Sequence, residues 1–232
     1  MQLFGQWGWR KLYIPPEEGR KRKNIITVTS LKLINKNLDL NTIRSSDTVL
    51  ITGDGQTLHD EVREFESWGV PHDLYATNRS LIWHNRQVDH WAAIDIEEGY
   101  WFAENITFNV MPKKNVMRHT IGEIPNAYDI WWEMDYPWEN EYQRRVFVGN
   151  TGYFAVLTAL AMGYKKIVLA GMPLDNKPHW YEPDSEIGPN WNGLTYIQWM
   201  DFAMKVPEAK QVHSMGGYSA FILGKADKEW MT

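Results

Sequence analysis

A Gly-x-Gly turn that directly follows an apolar strand is the feature of this sequence with the clearest chemical meaning. Residues 49–52 are apolar or β-branched, Gly53, Asp54 and Gly55 come next, and Thr57 supplies a hydroxyl two residues later. Because glycines let backbone amides approach an anion, this spacing predicts a phosphate or nucleotide site. The turn alone is weak support for such a site, since most Gly-x-Gly turns are only turns.

Two further strand-like segments also end in polar side chains. Residues 73–77 lead into Asn78, and residues 90–94 lead into Asp95. In open α/β sheets the carboxyl ends of parallel strands share one edge, and ligands bind there. We therefore expect Asn78 and Asp95 to lie beside the Gly-x-Gly turn and to face a ligand bound at this edge.

A predicted helix adds a third group that favours anions. Asn150 or Thr151 can cap a helix that is apolar nearly all round and ends at Gly163, so the helix is predicted to be buried. Residues 164–171 then read as a central parallel strand. We expect the positive helix N-terminus, with Thr151 and Gly152, to face the same sheet edge as the turn.

The polar loop after that strand, residues 172–192, carries the candidates for catalysis. His179, Asp175 and Glu182 are alternative candidates for a general base, while Tyr181 and the amides near Thr57 and Thr151 are candidates to hold a phosphate. A lone loop histidine is more often structural than catalytic. No His-x-x-x-His or Glu-x-x-His spacing occurs, so the sequence carries neither of these metal-binding signatures and no metal ligand is predicted for the leading function.

The order of elements defines the predicted fold. Strands and helices alternate as βαβαβ, then an insertion, then αβαβα, which predicts an α/β domain with a doubly wound, largely parallel, Rossmann-like sheet. The chain has 232 residues with 44% hydrophobic content and no apolar run of membrane-spanning length. The absence of cysteine excludes disulfides and cysteine nucleophiles. Because no signal-peptide pattern is evident at the N-terminus, we expect a cytoplasmic location.

Two segments lie outside that core pattern. Residues 1–47 are predicted to be a basic, β-rich extension packed on the main domain, residues 48–232; its run Arg20–Lys23 reads as a solvated hairpin tip, so a nucleic-acid partner is not expected. Residues 125–148 are predicted to be an insertion or lid rich in tryptophan and carboxylates. That composition suits a carbohydrate acceptor, and equally a packing element or a partner surface.

The segment Ala159-Leu-Ala-Met-Gly-Tyr-Lys-Lys-Ile-Val-Leu-Ala-Gly171 and the turn Gly53-Asp-Gly-Gln-Thr-Leu58 resemble motifs of a known superfamily. They are similar to Ala-x-Ala-Leu-Gly-Tyr-Lys-Glu-Ile-Tyr-Leu-x-Gly and Gly-Asn-Gly-Pro-Ser-Leu in the bacterial sialyltransferases of glycosyltransferase family 42. The wider superfamily includes archaeal-type 6-hydroxymethylpterin diphosphokinases. The resemblance covers residues 48–224 in element order.

The resemblance implies a sialyltransferase-like nucleotide fold and a nucleotide-sugar donor of CMP type. Asn78, Asp95 (where the family has asparagine), Thr151 and Gly152 match its nucleotide-contacting positions, and Tyr181 matches one of its two phosphate-binding tyrosines. Three departures accompany these matches. Asp175 replaces the other tyrosine, Pro173 replaces an acidic residue, and the family's catalytic histidine has no counterpart.

Three functions follow from these patterns. The leading one is a nucleotide-sugar-dependent glycosyltransferase that transfers a sugar to an acceptor hydroxyl. The second is diphosphoryl transfer from ATP with Mg²⁺ held by Asp54, Asp95 and Asp175, since a phosphate beside Asp175 calls for a bridging cation. The third is a nucleotide-binding or structural protein without turnover, because the histidine is missing and Pro173 interrupts the family pattern.

Overall fold

The computed structural model of the protein describes residues 31–34, 38–94, 116–121, 128–134, 150–182 and 193–232. Its strands are β1 (Leu31–Leu33), β2 (Thr48–Thr52), β3 (Asp73–Thr77), β4 (His90–Ala92), β5 (Met117–Ile121), β6 (Ile130–Met134), β7 (Lys166–Ala170) and β8 (Val212–Ser214). Its helices are α1 (Leu58–Ser67), α2 (Ser80–Trp83), α3 (Thr151–Ala161), α4 (Gly193–Lys205), α5 (Gly217–Leu223) and α6 (Lys228–Met231), with 3₁₀ turns at Leu40–Thr42 and Pro207–Gln211.

The strands form one sheet with the order β1-β6-β5-β4-β3-β2-β7-β8. Every neighbouring pair from β6 to β8 is parallel, and β1 runs antiparallel to β6. The chain moves outward from β2 to β6 and then returns to place β7 on the other side of β2. This confirms the predicted doubly wound α/β fold and places a topological switch point between β2 and β7, where such sheets bind ligands.

Both faces of the sheet are covered, which explains why its central strands are apolar throughout. Within β2, Val49 and Ile51 belong to one buried cluster with α3 and α4, whereas Leu50 belongs to a second cluster with α1. The side chains of β7 alternate between the same two clusters. A strand buried on both faces has no position left for a solvated side chain.

Helix α3 is the buried helix predicted from the sequence. Residues 151–159 are all buried, and the Asn150 Oδ1 atom accepts a hydrogen bond from the Tyr153 amide at 3.1 Å, which caps the helix. The chain leaves the helix through Gly163, whose φ of 83° suits a residue without a side chain. The N-terminal end of the helix lies at the switch point, beside residues that follow β2 and β7.

Part of the Trp-rich segment belongs to the central sheet, whereas the sequence predicted an insertion or lid. Residues 130–134, inside the range predicted as an insertion or lid, form β6 in the central sheet, and Trp132 is only 1% exposed. This strand pairs with β1 on one side and β5 on the other, so its side chains can pack against the sheet's covered face, where Ile130 and Trp132 are buried. Residues 125–127 and 135–148 lie outside the described residues.

The described part of the N-terminal extension includes β1, which forms the edge of the sheet beside β6. Residues 1–30, including Arg20–Lys23, lie outside the described residues, so their predicted hairpin remains a prediction. No helix in the described ranges is long and apolar enough to cross a membrane.

Candidate functional site

A cleft opens at the switch point between β2 and β7. The loops that follow β2, β3 and β7 and the N-terminus of α3 line it. Eight of the residues predicted for the site line this cleft: Gly53, Asp54, Gly55, Asn78, Thr151, Gly152, Asp175 and His179. Thr57 and Tyr181 lie outside its lining, and Asp95 lies outside the described residues. Distant parts of the sequence thus meet at one sheet edge, as predicted.

The two glycines of the turn hold it against the loop after β7. The Gly53 amide donates to the Ala170 carbonyl at 2.9 Å, and the Gly55 amide donates to the Gly171 carbonyl at 2.7 Å. A Cβ added to Gly55 would lie 2.5 Å from Pro173 Cδ. The two glycines let the loop after β2 pack against the loop after β7, and their amides are already engaged within the protein. Contacts to an anion must come from other groups in the cleft.

Helix α1 holds the loop after β7 through the side chain of Glu61. The carboxylate of Glu61, which is buried, accepts a hydrogen bond from the Gly171 amide at 2.7 Å. Burial raises the pKa of Glu61, with the bond from Gly171 acting in the opposite direction. The turn and the loop after β7 are therefore held together by direct backbone bonds and by one buried side chain.

Asn78 follows β3 in a left-handed backbone conformation, with φ of 46°. Its amide donates to the Ala92 carbonyl at 2.9 Å and its carbonyl accepts from the Trp91 indole at 3.0 Å, which fixes the residue at both ends. Asparagine tolerates this conformation better than most residues. Its side-chain Oδ1 atom is buried in the cleft lining and has no hydrogen-bond partner in the described parts of the chain. It is an acceptor available to a ligand.

The N-terminus of α3 supplies donors to the same cleft. The Thr151 and Gly152 amides occupy the first helical positions, which have no partner within a helix. Asn150 caps the helix with its oxygen, while its Nδ2 atom is buried and has no partner within the described residues. A Cβ on Gly152 would lie 2.8 Å from Met172 Sδ, so a larger residue here would require the methionine side chain to move.

Trp199 on α4 was missed by sequence reasoning. It is 1% exposed, lines the cleft and contacts the Tyr153 ring edge-on, with 5.2 Å between ring centroids. Its indole N–H has no hydrogen-bond partner in the part of the chain that the structure describes. Helical periodicity places Trp199 on the buried face of α4, but that signal does not separate a core tryptophan from one that borders a cavity.

The loop after β7 folds over the turn. His179 forms a β-bridge with Gly55, and the Trp180 amide donates to the Asp54 carbonyl at 2.9 Å. His179 Nδ1 lies 2.8 Å from Glu182 Oε2, which also accepts the His179 amide at 2.7 Å. Although burial acts to raise the pKa of Glu182, these two bonds lower it. Glu182 is thereby kept ionised and holds the imidazole ring.

Tyr181 supports this histidine from outside the cleft. Its ring stacks on the His179 ring with 5.2 Å between centroids and an interplanar angle of 11°. The guanidinium of Arg79 lies 4.9 Å above the Tyr181 ring. In the described geometry Tyr181 positions His179, and its contact with a phosphate remains a prediction.

Charges of both signs line the cleft. Asp54 and Asp175 contribute carboxylates, and Lys177, which sequence reasoning missed, contributes a cation with its Nζ atom 3.9 Å from Asp175 Oδ2. The cation offsets the repulsion that Asp175 alone would exert on a phosphate. Within the described ranges, no group of three or more histidine, cysteine, aspartate or glutamate side chains is arranged to hold a metal ion.

A second polar cluster lies inside the sheet and does not line the cleft. Tyr164 donates to Asp73 at 2.6 Å, so its oxygen accepts from His90 Nε2 at 3.0 Å. His90 Nδ1 must then accept from His119 Nε2 at 3.1 Å, and His119 Nδ1 accepts from Trp132 at 3.1 Å. Each bond has one donor only if both imidazoles are neutral. Burial lowers the pKa of His90 to about 4 and lowers that of His119 well below its usual value.

Comparison of the chain with protein-family models, curated proteins and solved structures finds no match. The family resemblance described for residues 48–224 therefore remains a prediction. The cleft itself combines buried polar atoms that have no partner in the described parts of the chain, a helix N-terminus, a lysine and a histidine held by a glutamate.

Proposed function

We propose that the protein is a nucleotide-sugar-dependent glycosyltransferase that transfers a sugar to an acceptor hydroxyl. The observation that carries this proposal is a set of buried atoms on Asn78, Asn150 and Trp199 that have no partner among the described residues and that all line one cleft at the switch point. A buried polar group left without a partner costs about 1–3 kcal/mol. One acceptor and two donors at the carboxyl edge of a parallel sheet are suited to a ligand with several polar atoms, such as a nucleotide.

The donor phosphate would lie against the N-terminus of α3 and the ammonium group of Lys177. The first amides of a helix and its dipole favour an anion, and a lysine adds a point charge. Charge that develops on a departing nucleotide is stabilised by donors already in place. A CMP-type donor is the choice that the sialyltransferase resemblance supports.

His179 would act as the base. Glu182 fixes its Nδ1 atom, which leaves Nε2 to take the proton of the acceptor hydroxyl. The acceptor oxygen then bonds to the anomeric carbon of the sugar, the bond from that carbon to the phosphate oxygen breaks, and the nucleotide leaves with the bonding electrons. Asp175 remains the alternative base, since it also lines the cleft.

A second function is supported by the position of two carboxylates. Asp54 and Asp175 both line the cleft, as Mg²⁺-dependent diphosphoryl transfer from ATP would require. A requirement for Mg²⁺ distinguishes diphosphoryl transfer from the proposed glycosyl transfer. The third hypothesis, a nucleotide-binding protein without turnover, predicts binding without product.

Calorimetric titration of the purified chain with CMP, UDP, GDP and ATP, each with and without Mg²⁺, tests these functions. Metal-independent binding of CMP supports the glycosyltransferase, and Mg²⁺-dependent binding of ATP supports the diphosphokinase. Binding of none of the four refutes the nucleotide site. Once a donor and acceptor are found, Glu182→Gln should lower kcat by about 10²-fold while the nucleotide Kd stays unchanged, because it removes the carboxylate charge that stabilises His179 once the ring has taken the proton.

A further inference from the structure

An apolar groove lies between α4 and α5, beside the cleft. Its walls are formed by Tyr196, Met200 and Met204 on α4 and by Tyr218, Phe221 and Ile222 on α5. Phe221 is 89% exposed and Met204 is 77% exposed, although large apolar side chains on a domain surface are usually scattered singly. The groove has a cavity volume of about 910 Å³, which falls in the range of small-molecule sites, roughly 300–1,000 Å³.

The groove adjoins the cleft. Asp175 and Lys177 line both of them, so one end of the apolar groove meets the polar groups of the candidate active site. The Tyr196 hydroxyl donates to the Leu174 carbonyl at 2.7 Å, and the Tyr218 amide donates to the Pro173 carbonyl at 2.8 Å. Both walls are therefore tied to the loop after β7, which fixes the groove relative to the cleft.

The cleft by itself is small. Its cavity volume is about 110 Å³, below the size of sites that enclose a whole small-molecule ligand, so a ligand bound there must extend beyond it. The adjoining space is apolar and lined by aromatic and methionine side chains, which adapt to irregular apolar surfaces. A ligand that spans both regions would have a polar end near His179 and an apolar end between α4 and α5.

We infer that the groove binds the apolar part of an amphiphilic acceptor, such as a sugar or hydroxyl compound carrying an alkyl chain. The acceptor's hydroxyl then lies in the cleft and its alkyl chain lies along Met200, Met204 and Phe221. This inference rests on the proposed function for the assignment of the ligand as an acceptor. The binding of an alkyl chain in the groove is measurable without any knowledge of the donor.

The test is a calorimetric titration with n-octyl β-D-glucopyranoside below its critical micelle concentration, with methyl β-D-glucopyranoside as the ligand lacking the chain. The variants are Phe221→Ser and Met204→Ser, whose side chains are mostly exposed, so that folding is expected to survive. Ile82→Ser, an exposed apolar residue outside the groove lining, is the matched control. We expect saturable octyl glucoside binding that weakens about tenfold in the groove variants and is unchanged in the control.

Several results would overturn the inference. These are the absence of saturable octyl glucoside binding to the wild-type chain, equal affinity in the wild-type chain and the groove variants, or the same loss in Ile82→Ser. Self-association that Phe221→Ser abolishes, seen by light scattering, would assign the groove to a second copy of the chain. A loss of CMP affinity in Phe221→Ser would assign it to the nucleotide.

Titrations with the nucleotides and with octyl glucoside separate the groove inference from the proposed function. If CMP binds and octyl glucoside does not, the groove inference fails while the proposed function stands. If octyl glucoside binds in the groove but none of the nucleotides binds, the proposed function fails and the groove remains a site for an alkyl chain.

Discussion

Replacing Asn150 separates two roles that its side chain combines at the start of α3. Its Oδ1 atom caps the helix by accepting from Tyr153, and its buried Nδ2 atom is available to a ligand in the cleft. Asn150→Asp keeps an oxygen in the capping position and replaces the donor by an ionised oxygen. Asn150→Ala removes both groups. The two variants therefore have different expected effects on stability and similar effects on binding.

The magnitudes follow from these contacts. Loss of the cap in Asn150→Ala should lower the free energy of unfolding by about 1 kcal/mol. Aspartate is an equally good cap and favours the helix dipole, so Asn150→Asp should leave stability unchanged or raise it by about 0.3–1 kcal/mol. A hydrogen bond to a charged ligand contributes about 1.5–3 kcal/mol, so both variants should bind the nucleotide roughly 10- to 150-fold more weakly.

Chemical denaturation and calorimetric titration with the nucleotide that binds the wild-type chain would measure the two effects. Asn85→Asp is the matched control, since it makes the same chemical change at an exposed asparagine that does not line the cleft. Wild-type affinity in Asn150→Asp would refute the assignment of Nδ2 to the ligand. An equal loss in Asn85→Asp would show that net charge, and not position, is responsible.

Gly55→Ala should lower the free energy of unfolding by about 2–3 kcal/mol, because its Cβ would lie 2.5 Å from Pro173 Cδ. The control is Gly69→Ala, which has a φ of 70° and open space around it and should lower the free energy of unfolding by only about 1 kcal/mol. Equal losses in the denaturation curves of the two variants would contradict the close contact at Gly55. Asn78→Gly should hold stability within about 0.5 kcal/mol, since glycine suits its positive φ, while nucleotide affinity falls about tenfold; unchanged affinity in calorimetry would remove Asn78 from the site. Burial lowers the pKa of His90 from 6.5 to about 4, so the folded chain favours the neutral imidazole. Its contribution to stability is complete above pH 6.5 and is lost as the pH falls toward 4, because the unfolded chain takes up a proton first. Between pH 7 and pH 4.5 the wild-type chain should therefore lose about 2–3 kcal/mol more than His90→Gln in denaturant titrations, and parallel losses would show that the buried histidine is not the cause.

The elements that could be predicted are those whose signal is local. The apolar run that became β2, the helix that begins at Thr151 and the strand that ends at Ala170 each showed their pattern within about a dozen residues. Strand β6 was missed because its tryptophans and carboxylates lie next to one another without a clean alternation. Pairing with β1 and β5 decided its position.

For the site, the sequence by itself determined which strand ends and which helix terminus would meet, because parallel strands bring their carboxyl ends to one edge. Only the tertiary structure decided what the groups there do. The amides of Gly53 and Gly55 bond to Ala170 and Gly171, more than a hundred residues away, while Asn150 and Trp199 bring to the cleft buried donors that have no partner within the described ranges. A hydrogen bond depends on distance and angle between atoms, and no spacing along the chain encodes these when the partners lie on separate loops.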